Sequence, residues 1–157
     1  MILQAWETYI ESLCAAHTDL AHGGTTRRWL PFTSEEAAPL QGTKSPYVRH
    51  ISFSMARRDD ELCVYTSVLQ FAATITTGTN LPAAITAARA LTEAIMLQFD
   101  ARIRRDDDAG QICDLLEHAG ASAATPIGII DQAEYGWEYA ITLYAYPPEY
   151  NAAKWSE

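Results

Sequence analysis

Tyr47-Val48-Arg49-His50-Ile51-Ser52-Phe53-Ser54-Met55 carries apolar side chains at Tyr47, Ile51, Phe53 and Met55 and polar ones at His50, Ser52 and Ser54. A repeat of two is the pattern of a strand with one buried face. Arg49 breaks the apolar set near the strand start, where a long side chain reaches water. The polar run Arg57-Arg58-Asp59-Asp60-Glu61 reads as a turn, and Leu62 to Ile75 is a second stretch rich in β-formers. Together they predict a long hairpin. With Asp59-Asp60 as a two-residue loop, Met55 opposes Val64 and Ile51 opposes Val68, so apolar meets apolar. The apolar parity switches after Val68, to Leu69, Phe71, Ala73 and Ile75. That switch predicts a bulge, or a strand end covered on both faces.

Helices flank the hairpin. Before it, Leu3, Trp6, Ile10, Leu13, His17 and Leu20 recur at steps of three and four, which predicts a helix from Ile2 to about Leu20. His22-Gly23-Gly24 would end it. After the hairpin, Asn80 is a candidate N-cap and Pro82 suits a first turn. Leu81, Ile85, Ala88, Thr92, Ile95, Phe99 and Ile103 then form the stripe of a helix running to about Arg105. A short helix is expected from Ala109 to His118, with strands at Thr125 to Ile130 and Tyr135 to Tyr146. The segment between Thr25 and Ser45 is irregular: Arg27 to Phe32 suits a short strand or strap, and Thr33 to Glu36 has capping-box spacing. The expected fold is a single α+β domain over residues 1–157. It is an antiparallel sheet of about four strands with two long helices on one face, an irregular loop at 24–45 and an aromatic tail at 147–157.

Composition narrows the function. The chain has 157 residues, 48% of them hydrophobic, enough for one self-sufficient core. Its 20 acids against 11 bases give a net charge of −9, which argues against a free-standing or specific nucleic-acid binder and against docking on anionic lipid. Cys14, Cys63 and Cys113 are odd in number and widely spaced, so they read as small buried side chains in a reducing compartment. No secretory signal and no membrane-spanning run is expected.

No motif fixes a chemistry. Asp106, Asp108 and Glu117 match positions of a calcium loop, but Gly110 falls one residue early for its sharp turn. Cys14 and His17 could begin a zinc site, yet Cys113 and His118, five apart, do not complete one. His50 with Ser52 or Ser54 would be a base beside a hydroxyl on one strand face, lacking an orienting acid; a polar, solvated face is the simpler reading. His118 reads as a dipole partner at a helix end. The expectation is therefore no catalytic residues, no cofactor and no metal. The interface candidates are Tyr144, Tyr146, Tyr150 and Trp155, which surround Pro147-Pro148, together with Arg27 and Arg28. So much aromatic area beyond a sheet either folds back on its own domain or docks on a neighbour.

The order of N-terminal helix, hairpin Tyr47–Ile75, helix Leu81–Arg105 and closing strand Gly136-Trp137-Glu138-Tyr139-Ala140-Ile141-Thr142-Leu143 resembles the tail terminator and tail-completion proteins of tailed bacteriophages, and related small neck proteins. The resemblance covers nearly the whole chain and rests on element order. It implies a non-enzymatic structural protein that forms a homo-oligomeric ring, commonly hexameric, and meets tail-tube or neck proteins. It implies host cytoplasm during assembly and the virion afterwards. An acidic lumen that passes DNA without gripping it suits that role. Two other classes remain open: a ligand-binding or enzymatic α+β domain whose site exists only in three dimensions, and a monomeric adaptor that binds through its aromatic tail.

Overall fold

The computed structural model describes residues 2–20, 27–32, 43–57, 62–75, 80–110, 112, 117–129, 133–146 and 152–154. The elements are α1 (Ile2–Ala16), β1 (Arg27–Leu30), β2 (Thr43–Arg57), β3 (Cys63–Thr74), α2 (Leu81–Asp108), β4 (Glu117–Ile129) and β5 (Glu134–Ala145), followed by a 3₁₀ turn at Ala152–Lys154. The strands form one sheet in the order β1-β2-β3-β5-β4. The mixed α+β class is as expected, with five strands instead of four. The extra one is β1, which pairs with β2 in parallel; the other pairings are antiparallel.

Both helices cover the same face. Along β3 and β5 the odd-numbered side chains point to that side, in unbroken register from Cys63 opposite Ala145 to Thr74 opposite Glu134. Trp6, Ile10, Leu13 and Cys14 of α1 meet Ile95, Phe99 and Ile103 of α2 over Leu69, Phe71, Tyr139, Ile141 and Leu143. Each aliphatic or phenylalanine side chain so buried contributes roughly 1.5–3 kcal/mol. Two indoles lock the layers: Trp6 Nε1 donates to Ser67 Oγ at 2.8 Å, and Trp137 Nε1 donates to the Arg89 carbonyl at 3.1 Å. Gly136 allows β3 and β5 to close, because a Cβ there would collide with the Phe71 carbonyl oxygen.

The hairpin forms, with a different register at its tip. Tyr47 opposes Ala72 and His50 opposes Leu69, in line with the expected pairing, but from Ser52 the register has slipped by one: Ser52 opposes Val68 and Met55 opposes Tyr65. The bulge lies at Ile51 on β2, not on β3. It inverts the alternation. His50 therefore turns inward with Val48, while Ser52 and Ser54 turn outward, so His50 shares no face with them. His50 is completely buried instead of solvated. The parity switch on β3 reflects a strand with apolar residues on both sides, with Val64 and Val68 opposite Leu69 and Phe71 in facing.

Several boundaries move. α1 ends at Ala16, and His17 to Leu20 form a turn closed by the Leu20 amide on the His17 carbonyl at 3.0 Å. α2 continues three residues past Arg105. Asn80 sits at its cap and uses its backbone carbonyl, not its side chain, to accept from the Ala84 amide. β4 begins at Glu117, so Glu117 and His118 are strand, not the end of a short helix. The Gly23-Gly24 helix stop, the Thr33–Glu36 capping box and the Asp59-Asp60 turn lie outside the described residues.

Candidate functional site: two apolar surfaces and a buried polar clip

The second face of the sheet carries the even-numbered residues of β3 and β5. No described helix packs on it. At the hairpin-tip end it is apolar or β-branched: Val64 beside Tyr144, Thr66 beside Thr142, and Val68 beside Ala140, all half-buried. At the other end Leu30, Tyr47 and Ala72 form a small buried apolar cluster with polar side chains beside it. Arg49 Nη2 reaches Glu134 Oε2 and the Tyr47 hydroxyl, each at 3.0 Å, and its guanidinium lies 5.3 Å from the Tyr47 ring centre. Burial, and then the Glu134 carboxylate, push the Tyr47 phenol upward. Gln70 Nε2 donates to Glu138 at 3.4 Å alongside.

The opposite side of the molecule presents the outer surface of α2. From Leu81 to Ala101 its exposed positions include Ala83, Ala87, Ala90, Leu91, Ala94 and Leu97, and Glu93 is the charged one among them. Leu91 is 40% exposed and Leu97 54%. A solvated helix usually places its charges on that side. The chain thus has two apolar surfaces of different make, one β and one α, on opposite sides of a two-layer body.

Of the expected interface residues, Tyr144 lies on the open sheet face between Val64 and Glu117. Tyr146 follows the strand end and is 70% exposed. Arg28 is committed within the fold: its Nη1 donates to the Ser45 carbonyl at 2.7 Å and the Pro46 carbonyl at 3.1 Å, tying β1 to the start of β2. Arg27 pairs with Thr43 through the backbone, and Tyr150 and Trp155 lie outside the described residues. Sequence reasoning missed Val64, Val68 and Ala140, although the two-sided apolar pattern of β3 was the available signal. It also missed the α2 surface, whose signal was the scarcity of charge between Leu81 and Ala101.

One constellation resembles a catalytic one in its order. Ser67 Oγ lies 3.1 Å from His50 Nε2, and His50 Nδ1 lies 3.2 Å from Glu7 Oε2. Hydroxyl, imidazole and carboxylate in that order is the layout of a nucleophilic triad. Here Ser67 and His50 are fully buried, and Trp6 Nε1 already occupies the serine oxygen. A substrate carbonyl could reach Oγ only by displacing Trp6. Glu7 Oε2 also accepts the Phe32 amide at 2.7 Å, and Trp29, Phe32 and Phe53 surround the imidazole. The group is best understood as a clip joining α1, β2, β3 and the end of β1. A second clip joins the helices: the Tyr9 hydroxyl donates to buried Asp106 at 2.9 Å, and Arg102 Nε bridges both oxygens of Asp106 at 3.0 Å. Asp106 follows Phe99 and Ile103 on the core stripe, so its spacing marked it as inward.

Cys14 and Cys63 are buried and joined in no disulfide among the described residues, and Cys113 lies outside them. Among the described residues no three His, Cys, Asp or Glu side chains gather as metal ligands. No described helix is long and apolar enough to cross a membrane. Comparison with known proteins finds no matching family model, no similar curated protein and no similar solved structure.

Proposed function

We propose that this chain is a non-enzymatic structural subunit that assembles with copies of itself into a ring, of the tail terminator or tail-completion type found in phage and phage-like tails. One observation carries the reading: the two apolar surfaces differ and lie back to back, the open sheet face at Val64, Val68, Ala140 and Tyr144 and the outer face of α2 at Leu91 and Leu97. Unlike surfaces on opposite sides pair head to tail, and head-to-tail contacts close into rings when the rotation per subunit divides a full turn. A pair of identical patches would instead stop at a dimer. The burial of Ser67 and His50 supports the non-enzymatic half of the reading. Tail-tube or neck proteins would then meet the rim of the ring, where Tyr146 and Met55, 59% exposed near the hairpin tip, supply apolar contact.

The test is the solution mass. Light scattering from micromolar to millimolar concentration, with negative-stain images, should show a species of several chain masses with a central opening. A monomer throughout that range contradicts self-assembly.

A further inference from the structure

β1 and the residues that follow it to Phe32 pass over one side of the buried clip. Trp29 stacks on the His50 imidazole with ring centres 6.4 Å apart, and Phe32 lies 5.8 Å from it. Phe53 of β2 meets the imidazole edge-on at 5.8 Å. His50 is completely buried, and two of the three described aromatic rings against it belong to this strap.

The sheet itself holds the strap weakly. β1 is four residues long, lies at the sheet edge beside β2, and slips register between Arg27 and Trp29. β3 and β5, by contrast, have twelve residues each and pair throughout. Leu30 packs in a small cluster with Tyr47 and Ala72, apart from the main core that Trp29 joins. Short edge elements open at lower free energy than a central ladder.

Two charged groups fasten the strap instead. The Phe32 amide donates to Glu7 Oε2 at 2.7 Å, and Arg28 Nη1 donates to the Ser45 and Pro46 carbonyls at 2.7 and 3.1 Å. Hydrogen bonds with one charged partner are the stronger kind. Glu7 Oε2 also lies 3.2 Å from His50 Nδ1, so one carboxylate of α1 touches both the strap and the ring beneath it.

We propose that residues 27–32 form a lid, latched by Glu7 and Arg28, that opens as a unit while the helices and the rest of the sheet stay folded, and that opening bares the His50 imidazole. The latch lies within one chain and needs no second copy.

The test uses the full chain. Diethyl pyrocarbonate acylates accessible imidazole nitrogens, and peptide mass spectrometry reads its rate at His50; hydrogen exchange of the Phe32 amide reports the same opening independently. Below the unfolding transition both rates should be nearly insensitive to urea, because a local opening exposes little surface. Glu7→Gln should speed both about tenfold, and Arg28→Gln likewise, while amide exchange in β3 and β5 stays unchanged. His50 modification that rises with urea as steeply as global unfolding would overturn the lid. So would rates that neither variant changes, or an equal acceleration throughout β3 and β5. The urea dependence is read on the unsubstituted chain, so that arm decides even if a variant fails to fold.

Discussion

On β3, Leu69 and Phe71 point beneath the two helices and are 0% and 1% exposed, whereas Val64 and Val68 of the same strand point to the other side and stay half-exposed. The two faces have similar side-chain chemistry and different cover. Leu69 and Phe71 are held by Trp6, Phe99 and Tyr139, with Ser67 tied to Trp6 and His50, and Tyr139 to Asp100. No described helix lies over Val64 and Val68. Side chains on the first face determine whether the chain folds. Those on the second, under the proposed ring, determine what it folds against. Substitutions should therefore separate into two groups, one acting on stability and one on association.

The largest effect should come from the covered face. Trp6→Ala removes the indole between the helices and its donation to Ser67, and should cost about 3–5 kcal/mol in urea unfolding. A loss below about 1 kcal/mol would mean that α1 is not part of the core. Ser67→Ala comes next. It strands the Trp6 N–H and one side of His50, for about 1–3 kcal/mol. A loss below about 0.5 kcal/mol would mean that Ser67 does not hold these two groups.

Alkaline pH sharpens the comparison further. Burial, and then a neighbouring carboxylate, raise the phenols of Tyr9 beside Asp106, Tyr47 beside Glu134 and Tyr139 beside Asp100 above their ordinary value. An unfolded tyrosine ionises near pH 10. Above that pH the unfolded chain binds fewer protons than the folded one, so unfolding becomes easier as pH rises. The stabilisation is complete below about pH 10 and is lost as pH climbs toward the raised values, by at most about 1.4 kcal/mol per pH unit for each phenol that keeps its proton. Urea midpoints measured between neutral pH and strong alkali should fall on that limb, and Tyr139→Phe should flatten it. The smallest stability effect belongs to the uncovered surfaces. Val68→Asp and Leu97→Asp should change the unfolding free energy of the monomer by no more than about 1 kcal/mol, yet each should abolish the higher-mass species in light scattering.

The elements legible from sequence were those whose periodicity was enforced by a single partner. Trp6, Ile10 and Leu13 recur at helical spacing because one face of α1 meets the core, and Ile95, Phe99 and Ile103 do so for α2. What stayed hidden depended on a neighbour far along the chain. β4 from Glu117 to Ala124 is Glu, His, Ala, Gly and Ser, with no strand pattern, and it forms because β5 offers a free edge. The bulge at Ile51 is invisible because a one-residue slip leaves composition unchanged while exchanging the faces of His50 and Ser52. The parallel addition of β1 depends on the Arg28 tie to the Ser45 and Pro46 carbonyls. The candidate surfaces were half legible. The aromatic end at Tyr144 and Tyr146 could be read directly, while Val64, Val68 and Leu97 needed the knowledge of which sides the helices leave bare.

Mixing two crippled subunits tests head-to-tail assembly most directly. Val68→Asp spoils the sheet surface and leaves the α2 surface intact; Leu97→Asp does the reverse. Each variant alone should be monomeric by light scattering, and an equimolar mixture should give a species of twice the chain mass, joined through the one contact both still support. A mixture that remains at the monomer mass, while the unsubstituted chain assembles, would contradict a contact between these two surfaces.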